Sequence, residues 1–309
     1  LPKTATTTLQ THLFGKHSQI YYLGKLPGYG FPPSVLELLD SSFSESCYDK
    51  IYDPADIHFQ SIEQQLNYAG NHGQISLLSK EGLAGGPPEQ KRLYAELLKN
   101  TFGNCRALLF IREPVSFLKS YYVQSLKGFQ KRSSNGSKWM QKLPAAPHFF
   151  DVNEWMMARW ETKSSPRNIL KYAETANIYA EFFGKNNVKI FIFEEFVRRP
   201  NEVITDLCRY MEIDSAEALA LLHGKRENNR YTTSYIENLK RLENCPEQAS
   251  TFRSLNTEQR GSFLEAADGQ GEKIDQQLTD TWLEKIHEVT REQNRRLVKE
   301  WDMPLADYG

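Results

Sequence analysis

The chain has 309 residues, enough for one large α/β domain or two small ones. Apolar residues make up 39% and charged residues 25%, the balance of a soluble globular protein, and a formal net charge of −1 gives no global field to draw in nucleic acid or an anionic membrane. No run approaches the roughly 20 apolar residues of a membrane span, and no signal peptide is visible, so a cytoplasmic protein is expected. Cys47, Cys105, Cys208 and Cys245 are scattered without a C-x-x-C pair, which fits reduced thiols better than a disulfide framework or a zinc site.

The chain opens on Leu1-Pro-Lys-Thr-Ala-Thr-Thr-Thr-Leu-Gln10. Lys3 stands ahead of Thr4, Thr6, Thr7 and Thr8, and a helix is predicted over 9–17 with Leu9, Leu13 and Phe14 on its apolar side. The start of a helix carries unpaired N–H groups and a partial positive charge, so it holds anions. Hydroxyls add donors and the lysine adds a full charge. The stretch is a candidate phosphate cradle, although it lacks the G-x-x-x-x-G-K-S/T order of an ATP-type loop. Such a loop follows a β-strand, so a first strand is expected before Leu1.

Ile20 to Leu23 reads as a short strand, and Gly24 to Pro33, with three glycines and three prolines in ten residues, as a loop able to border a cleft. A helix is expected from Val35 and another around Ile62 to Tyr68, with a turn at Asn71–Gly73. Gln74 to Ser79 reads as a buried strand running into Lys80-Glu81-Gly82. Polar residues just past a strand in an open α/β sheet stand where ligands bind. An amphipathic helix follows over 89–100, carrying Leu93, Leu97 and Leu98.

Arg106 to Ile111 is the clearest strand. Arg112-Glu-Pro114 comes next, then a helix with Ser120 eight residues beyond Arg112. An arginine fork and a hydroxyl about two helical turns on suit a phosphate. Residues 128–150 are too long for an ordinary connector; they are either a lid on the acceptor side or a passive insertion. Helices are expected over 152–160, with Trp155 and Trp160, and over 167–183. Val188 to Phe193 is a third strong strand, followed by Glu194-Glu195 and a helix over 201–211. The glutamates either shape a site or simply complement a helix start. Lys225, Arg226 and Arg230 lie in a basic, turn-rich segment, and a long packing helix spans about 278–300.

Two of these features resemble one family. Pro2-Lys-Thr-Ala-Thr-Thr7 is similar to the 5′-phosphosulfate loop of sulfotransferases, usually Pro-Lys-Ser/Thr-Gly-Thr-Thr. Arg-x-Pro with serine eight residues on and an aromatic at nine is similar to their 3′-phosphate motif. The resemblance implies one domain over 1–309: a three-layer α/β fold with a central, mostly parallel sheet flanked by helices, like that of the P-loop NTPases. It implies transfer of the sulfuryl group of 3′-phosphoadenosine 5′-phosphosulfate (PAPS) to a hydroxyl or amine of a carbohydrate, lipid or small-molecule acceptor, leaving PAP, with no metal required. Lys3, Thr4, Ala5, Thr6, Thr7 and Thr8 would hold the 5′-phosphosulfate. Arg112 and Ser120 would hold the 3′-phosphate, with Arg226 and Arg230 closing over it. Lys3 would offset charge on the bridging oxygen. Glu81 is the first choice of general base, with His58 and His12 in reserve. The chain departs from the pattern at Ala5, where the family has glycine, and it lacks the family's Arg-Lys-Gly triplet. A P-loop kinase is the second reading, weakened because Arg112 stands where a magnesium-binding aspartate would be. A non-catalytic PAP-binding protein is the third.

Overall fold

The computed structural model of the chain describes residues 4, 6–24, 57–126, 151–162, 165–225, 237, 240 and 276–305. In chain order, Thr6–Thr8 runs on into a π-helical stretch, Leu9–Phe14, the two together forming α1; then come β1 (Ile20–Tyr22), α2 (Ile57–Asn71), β2 (Ile75–Leu77), α3 (Pro88–Phe102), β3 (Ala107–Ile111), α4 (Pro114–Leu126), α5 (Val152–Arg159), α6 (Pro166–Ile169), α7 (Tyr172–Phe183), β4 (Val188–Ile192), α8 (Phe193–Arg198), α9 (Pro200–Met211), α10 (Ser215–Leu222) and α11 (Asp280–Trp301). The chain divides into two compact units: Leu1–Glu113 with Lys163–Glu227 and Val289–Gly309, and Pro114–Thr162 with Asn228–Glu288.

The first unit is α/β with parallel strands. β1 pairs with β2, Ile20 opposite Ile75 and Tyr22 opposite Leu77. β3 pairs with β4, Ala107 opposite Val188 and Ile111 opposite Ile192. Parallel pairs need crossover connections, and helices supply them here. Matched register stacks Phe110 on Phe191 with ring centroids 5.1 Å apart. Leu9, Leu13 and Phe14 of α1, Leu207 and Met211 of α9 and Leu222 of α10 close around that pair in one buried cluster. α3 has Pro88 at its first position, Glu89 in the first turn, Lys99 in the last, and stops at Gly103, whose φ of 70° suits a residue without a Cβ.

The helix expected over 167–183 is two helices. Ser165 caps α6 by accepting from the Arg167 N–H at 3.1 Å, and Lys171, with ψ of 63°, breaks the run before α7 begins at Tyr172. Behind α7 lies a buried charge: Lys91 Nζ donates to the Asn168 carbonyl and to Thr175 Oγ1, both at 2.8 Å, with Glu174 at 3.9 Å. The predicted strand over Val188–Phe193 ends one residue early, because Phe193 opens α8. Cys105 and Cys208 are free thiols, both pushed up to about 11 by burial. The helix expected from Val35 lies outside the described residues.

In the second unit Asp151 caps α5, accepting from the N–H groups of Asn153 and Glu154 at 2.8 and 3.2 Å. Trp155 is buried and meets the rings of Tyr121 and Tyr122 edge-on. Trp160 is also buried, 5.7 Å from Trp282. Residues 128–150 lie outside the described residues. No helix among the described residues is long and apolar enough to cross a membrane.

Candidate active site

The threonine-rich stretch forms the head of α1. Thr4 is fully buried, Thr8 buried, and Thr6 and Thr7 half-buried. The chain just past β2 comes to meet it. Thr6 Oγ1 donates to Glu81 Oε1 at 2.8 Å, and Gln10 Nε2 donates to Ser79 Oγ at the same distance. Glu81 is half-buried and opens a single 3-10 turn, Glu81–Ala84, whose cap at Lys80 is in extended backbone. The carboxylate therefore stands just beyond the carboxyl end of its strand, hydrogen-bonded to the candidate cradle. Lys3 and Ala5 lie outside the described residues.

A second set of groups gathers at the carboxyl ends of β3 and β4. Arg112 follows β3 directly, and its guanidinium lies over the Phe193 ring, 4.6 Å from the centroid. Its backbone carbonyl accepts from the Tyr172 hydroxyl at 2.9 Å. Burial, reinforced by the charges of Glu113 and Glu194, pushes the Tyr172 phenol far above its ordinary range, so it stays a neutral donor. The Glu113 N–H donates to Glu194 Oε1 at 3.1 Å, joining the two strand ends. The two glutamates of the acidic pair therefore differ. Glu194 ties β4 to β3, while Glu195 pairs with Arg198 and Arg199 of its own neighbourhood.

The remaining candidates are dispersed. Ser120 is half-buried on α4, in the second unit. His12 is half-buried on the π-helical part of α1. His58 belongs to α2, and its side chain lies outside the described residues, as do Arg226 and Arg230. Lys225 is exposed after α10. Among the described residues the buried histidine is His17, which serves packing: its Nε2 lies 2.9 Å from the Asp214 carbonyl. Sequence reasoning passed over Gln10, Tyr172 and Phe193, whose partners lie 69, 60 and 81 positions away, Phe193 being 81 beyond Arg112. Only an aromatic at the end of the strong predicted strand Val188 to Phe193 hinted at Phe193. Among the described residues no group of three His, Cys, Asp or Glu is placed to hold a metal ion.

The family model of the sulfotransferase domain matches residues 90–299, more than half of the chain. The chain belongs to the sulfotransferase family. The matched stretch runs from α3 to α11 and contains Arg112, Ser120, Tyr172 and Phe193. It begins after the threonine cradle and Glu81, so the family assignment is independent of both. The crystal structure of a sulfotransferase from Alicyclobacillus acidocaldarius aligns at 17% identity with a TM-score of 0.45, over 73% of this chain and 94% of that one. No curated protein matches the chain. The protein is thus a transferase that moves a sulfuryl group. In this sulfotransferase the Arg112 guanidinium lies over the Phe193 face, while Tyr172 anchors the Arg112 backbone carbonyl at the end of β3. A planar guanidinium stacked on an aromatic ring loses little freedom on meeting an oxyanion, which favours forked contacts to phosphate.

Proposed function

We propose that this sulfotransferase uses PAPS as donor and a hydroxyl or amine of a carbohydrate, lipid or small molecule as acceptor. The observation that carries the reading is the 2.8 Å hydrogen bond from Thr6 to Glu81. It puts a carboxylate able to take a proton one hydrogen bond away from a hydroxyl able to hold a phosphate.

In this reading the N–H groups at the head of α1 and the hydroxyls of Thr4, Thr6, Thr7 and Thr8 bind the 5′-phosphosulfate, with Lys3 and the Ala5 amide beside them. Arg112 reads the 3′-phosphate. Ser120, Arg226 and Arg230 join it on the strength of the sequence motif alone. A hydroxyl has one proton to donate, so Thr6 cannot serve Glu81 and a phosphate at once. Donor binding takes the Thr6 proton and leaves the Glu81 carboxylate free to accept the proton of the attacking hydroxyl. The acceptor oxygen bonds to sulfur as the bond from sulfur to the bridging oxygen breaks; the proton goes to Glu81, and the electron pair stays on PAP. Positioning and charge stabilisation supply most of the acceleration for such a dispersed transition state. Lys3 offsets the charge that grows on the bridging oxygen. The sulfuryl group carries less charge than a terminal phosphoryl group, so turnover without magnesium is expected.

Calorimetry tests the donor. PAP and ATP are titrated separately without magnesium, and PAP again into Arg112→Ala. Binding of PAP but not ATP, weakened roughly 10- to 100-fold by the substitution, supports the reading. Equal binding of ATP, or no effect of the substitution, refutes it and returns the kinase reading.

A further inference from the structure

The helix break at Lys171 is an inverse γ-turn. Its φ of −78° and ψ of 63° bring the Tyr172 N–H onto the Leu170 carbonyl at 2.9 Å. In an unbroken helix that N–H would serve the Asn168 carbonyl, four residues back. The turn takes this donor away from the end of α6. Lys91 replaces it: from α3, 77 positions earlier in the chain, its Nζ donates to the Asn168 carbonyl at 2.8 Å.

The same amine holds the other side of the turn. Nζ donates to Thr175 Oγ1 at 2.8 Å, and that hydroxyl gives its one proton to the Lys171 carbonyl at 2.9 Å. The donors therefore run in one direction, from Lys91 through Thr175 to the peptide group that joins Lys171 to Tyr172. Glu174 stands 3.9 Å from Nζ as the counter-charge. The Tyr172 hydroxyl in turn donates to the Arg112 carbonyl at 2.9 Å. Lys91, Asn168, Lys171, Tyr172, Thr175 and Arg112 all belong to the first unit.

Packing alone does not account for this lysine. α3 and α7 are already joined at the surface by the ion pair of Arg92 with Glu181 and by Lys99 Nζ, which donates to the Phe182 carbonyl at 2.6 Å. Lys91 is fully buried, and burying an ammonium costs stability that an apolar side chain of the same length would not. What the amine supplies, and an apolar side chain cannot, is a donor on each side of the turn. Without it, the Asn168 carbonyl regains a backbone donor only in a continuous helix. Lys171 would then return to a helical ψ of about −42°, a rotation of roughly 100° that carries Tyr172 away from Arg112. We propose that Lys91 is a positioning residue for donor recognition: it clamps the γ-turn that sets Tyr172 on the Arg112 carbonyl, and so fixes the guanidinium for a 3′-phosphate. The inference rests on the reading of Arg112 given under the proposed function.

Calorimetry with PAP and with adenosine 5′-phosphate, which lacks the 3′-phosphate, tests this on Lys91→Met and Thr175→Val. The first keeps the length of the side chain and removes both donors; the second removes only the relay to the Lys171 carbonyl. PAP affinity is expected to fall about five- to twenty-fold in Lys91→Met and a few-fold in Thr175→Val, with adenosine 5′-phosphate bound as in the parent. A lysine that merely supports the fold would weaken both nucleotides alike or neither, and either result overturns the inference. In a Tyr172→Phe background the bond to Arg112 is already gone, so adding Lys91→Met is expected to weaken PAP by less than about two-fold more. A full additive loss there means that Lys91 does not act through Tyr172, and it overturns the inference. Should Lys91→Met fail to fold, Thr175→Val, alone and with Tyr172→Phe, carries the same comparison. Arg112→Ala separates the two levels. If it leaves PAP binding unaltered, the reading of Arg112 falls and this inference falls with it. If it weakens PAP while neither Lys91→Met nor Thr175→Val does, the inference alone falls.

Discussion

The Thr6 hydroxyl donates to the Glu81 carboxylate at 2.8 Å across 75 residues of sequence. The contact joins the head of a helix to the residue just past a strand, and it places a proton acceptor against the cradle proposed for the donor. Glu81→Gln keeps the shape and still accepts from Thr6, but cannot take a proton. It is expected to lower kcat by about 10²- to 10⁴-fold while leaving PAP affinity within a few-fold of the parent. Steady-state kinetics with labelled PAPS, beside PAP calorimetry, check this; an unaltered kcat removes Glu81 as the base and moves attention to His12 and His58.

Thr6→Val removes the hydroxyl and keeps the volume. If the same hydroxyl serves Glu81 in the free enzyme and the phosphate in the complex, PAP affinity falls roughly ten-fold, and kcat falls far less than in Glu81→Gln. A loss of kcat equal to that of Glu81→Gln with PAP affinity unchanged would contradict the exchange of partners.

Phe193 lies under the Arg112 guanidinium, 4.6 Å from ring centroid to Cζ. Phe193→Leu removes the π face and leaves an apolar floor. PAP binding is expected to weaken by about 0.5–2 kcal/mol, whereas binding of adenosine 5′-phosphate, which lacks the 3′-phosphate, stays the same. Parallel losses for both nucleotides would show that Phe193 does not act through Arg112. Arg112→Lys is expected to resemble Arg112→Ala, because a lysine cannot fork or stack in the same way.

Tyr172 donates to the Arg112 carbonyl at 2.9 Å from a fully packed position. Tyr172→Phe leaves that carbonyl without this donor and is expected to cost roughly 1–2 kcal/mol of stability. Thermal or denaturant unfolding reads the cost. An unshifted unfolding midpoint would mean that the bond contributes nothing to the fold.

Lys91 is held from its ordinary 10.5 down to about 8, burial outweighing the attraction of Glu174. Its folded value lies below its unfolded value, so between pH 8 and 10.5 the unfolded chain binds the extra proton. Stability on this account rises with pH across that window. Below pH 8 the cost of keeping the ammonium buried is constant, up to about 3 kcal/mol. Lys91→Met is expected to flatten that rise. Urea unfolding of both proteins from pH 7 to 10 measures the difference in slope, and identical slopes would refute the assignment.

Much of the frame was legible in the sequence because it depends on local pattern. β3 and β4 are apolar runs between breakers, and α3 and α9 carry apolar faces at helical spacing; all four stand within a residue or two of expectation. Arg112 was legible at the end of β3 because an apolar strand followed by Arg-Glu-Pro leaves the arginine no other place. The break at Lys171 was not legible. Nothing local stops that helix; the break accompanies a tertiary arrangement in which Tyr172 is buried with its hydroxyl on Arg112.

The sequence by itself determined the parallel α/β character, the sulfotransferase family and the polar residues that follow each strand, since these rest on periodicity and on motifs confined to a few neighbouring residues. Only the tertiary structure decided which of those residues meet. Glu81 faces Thr6, and Glu194 bonds the Glu113 amide while Glu195 turns to its own arginines. Hydrogen bonds and burial depend on distance in space, and residues 60 to 81 positions apart are brought within 3.1 Å by the packing of helices on strands, which no local pattern encodes.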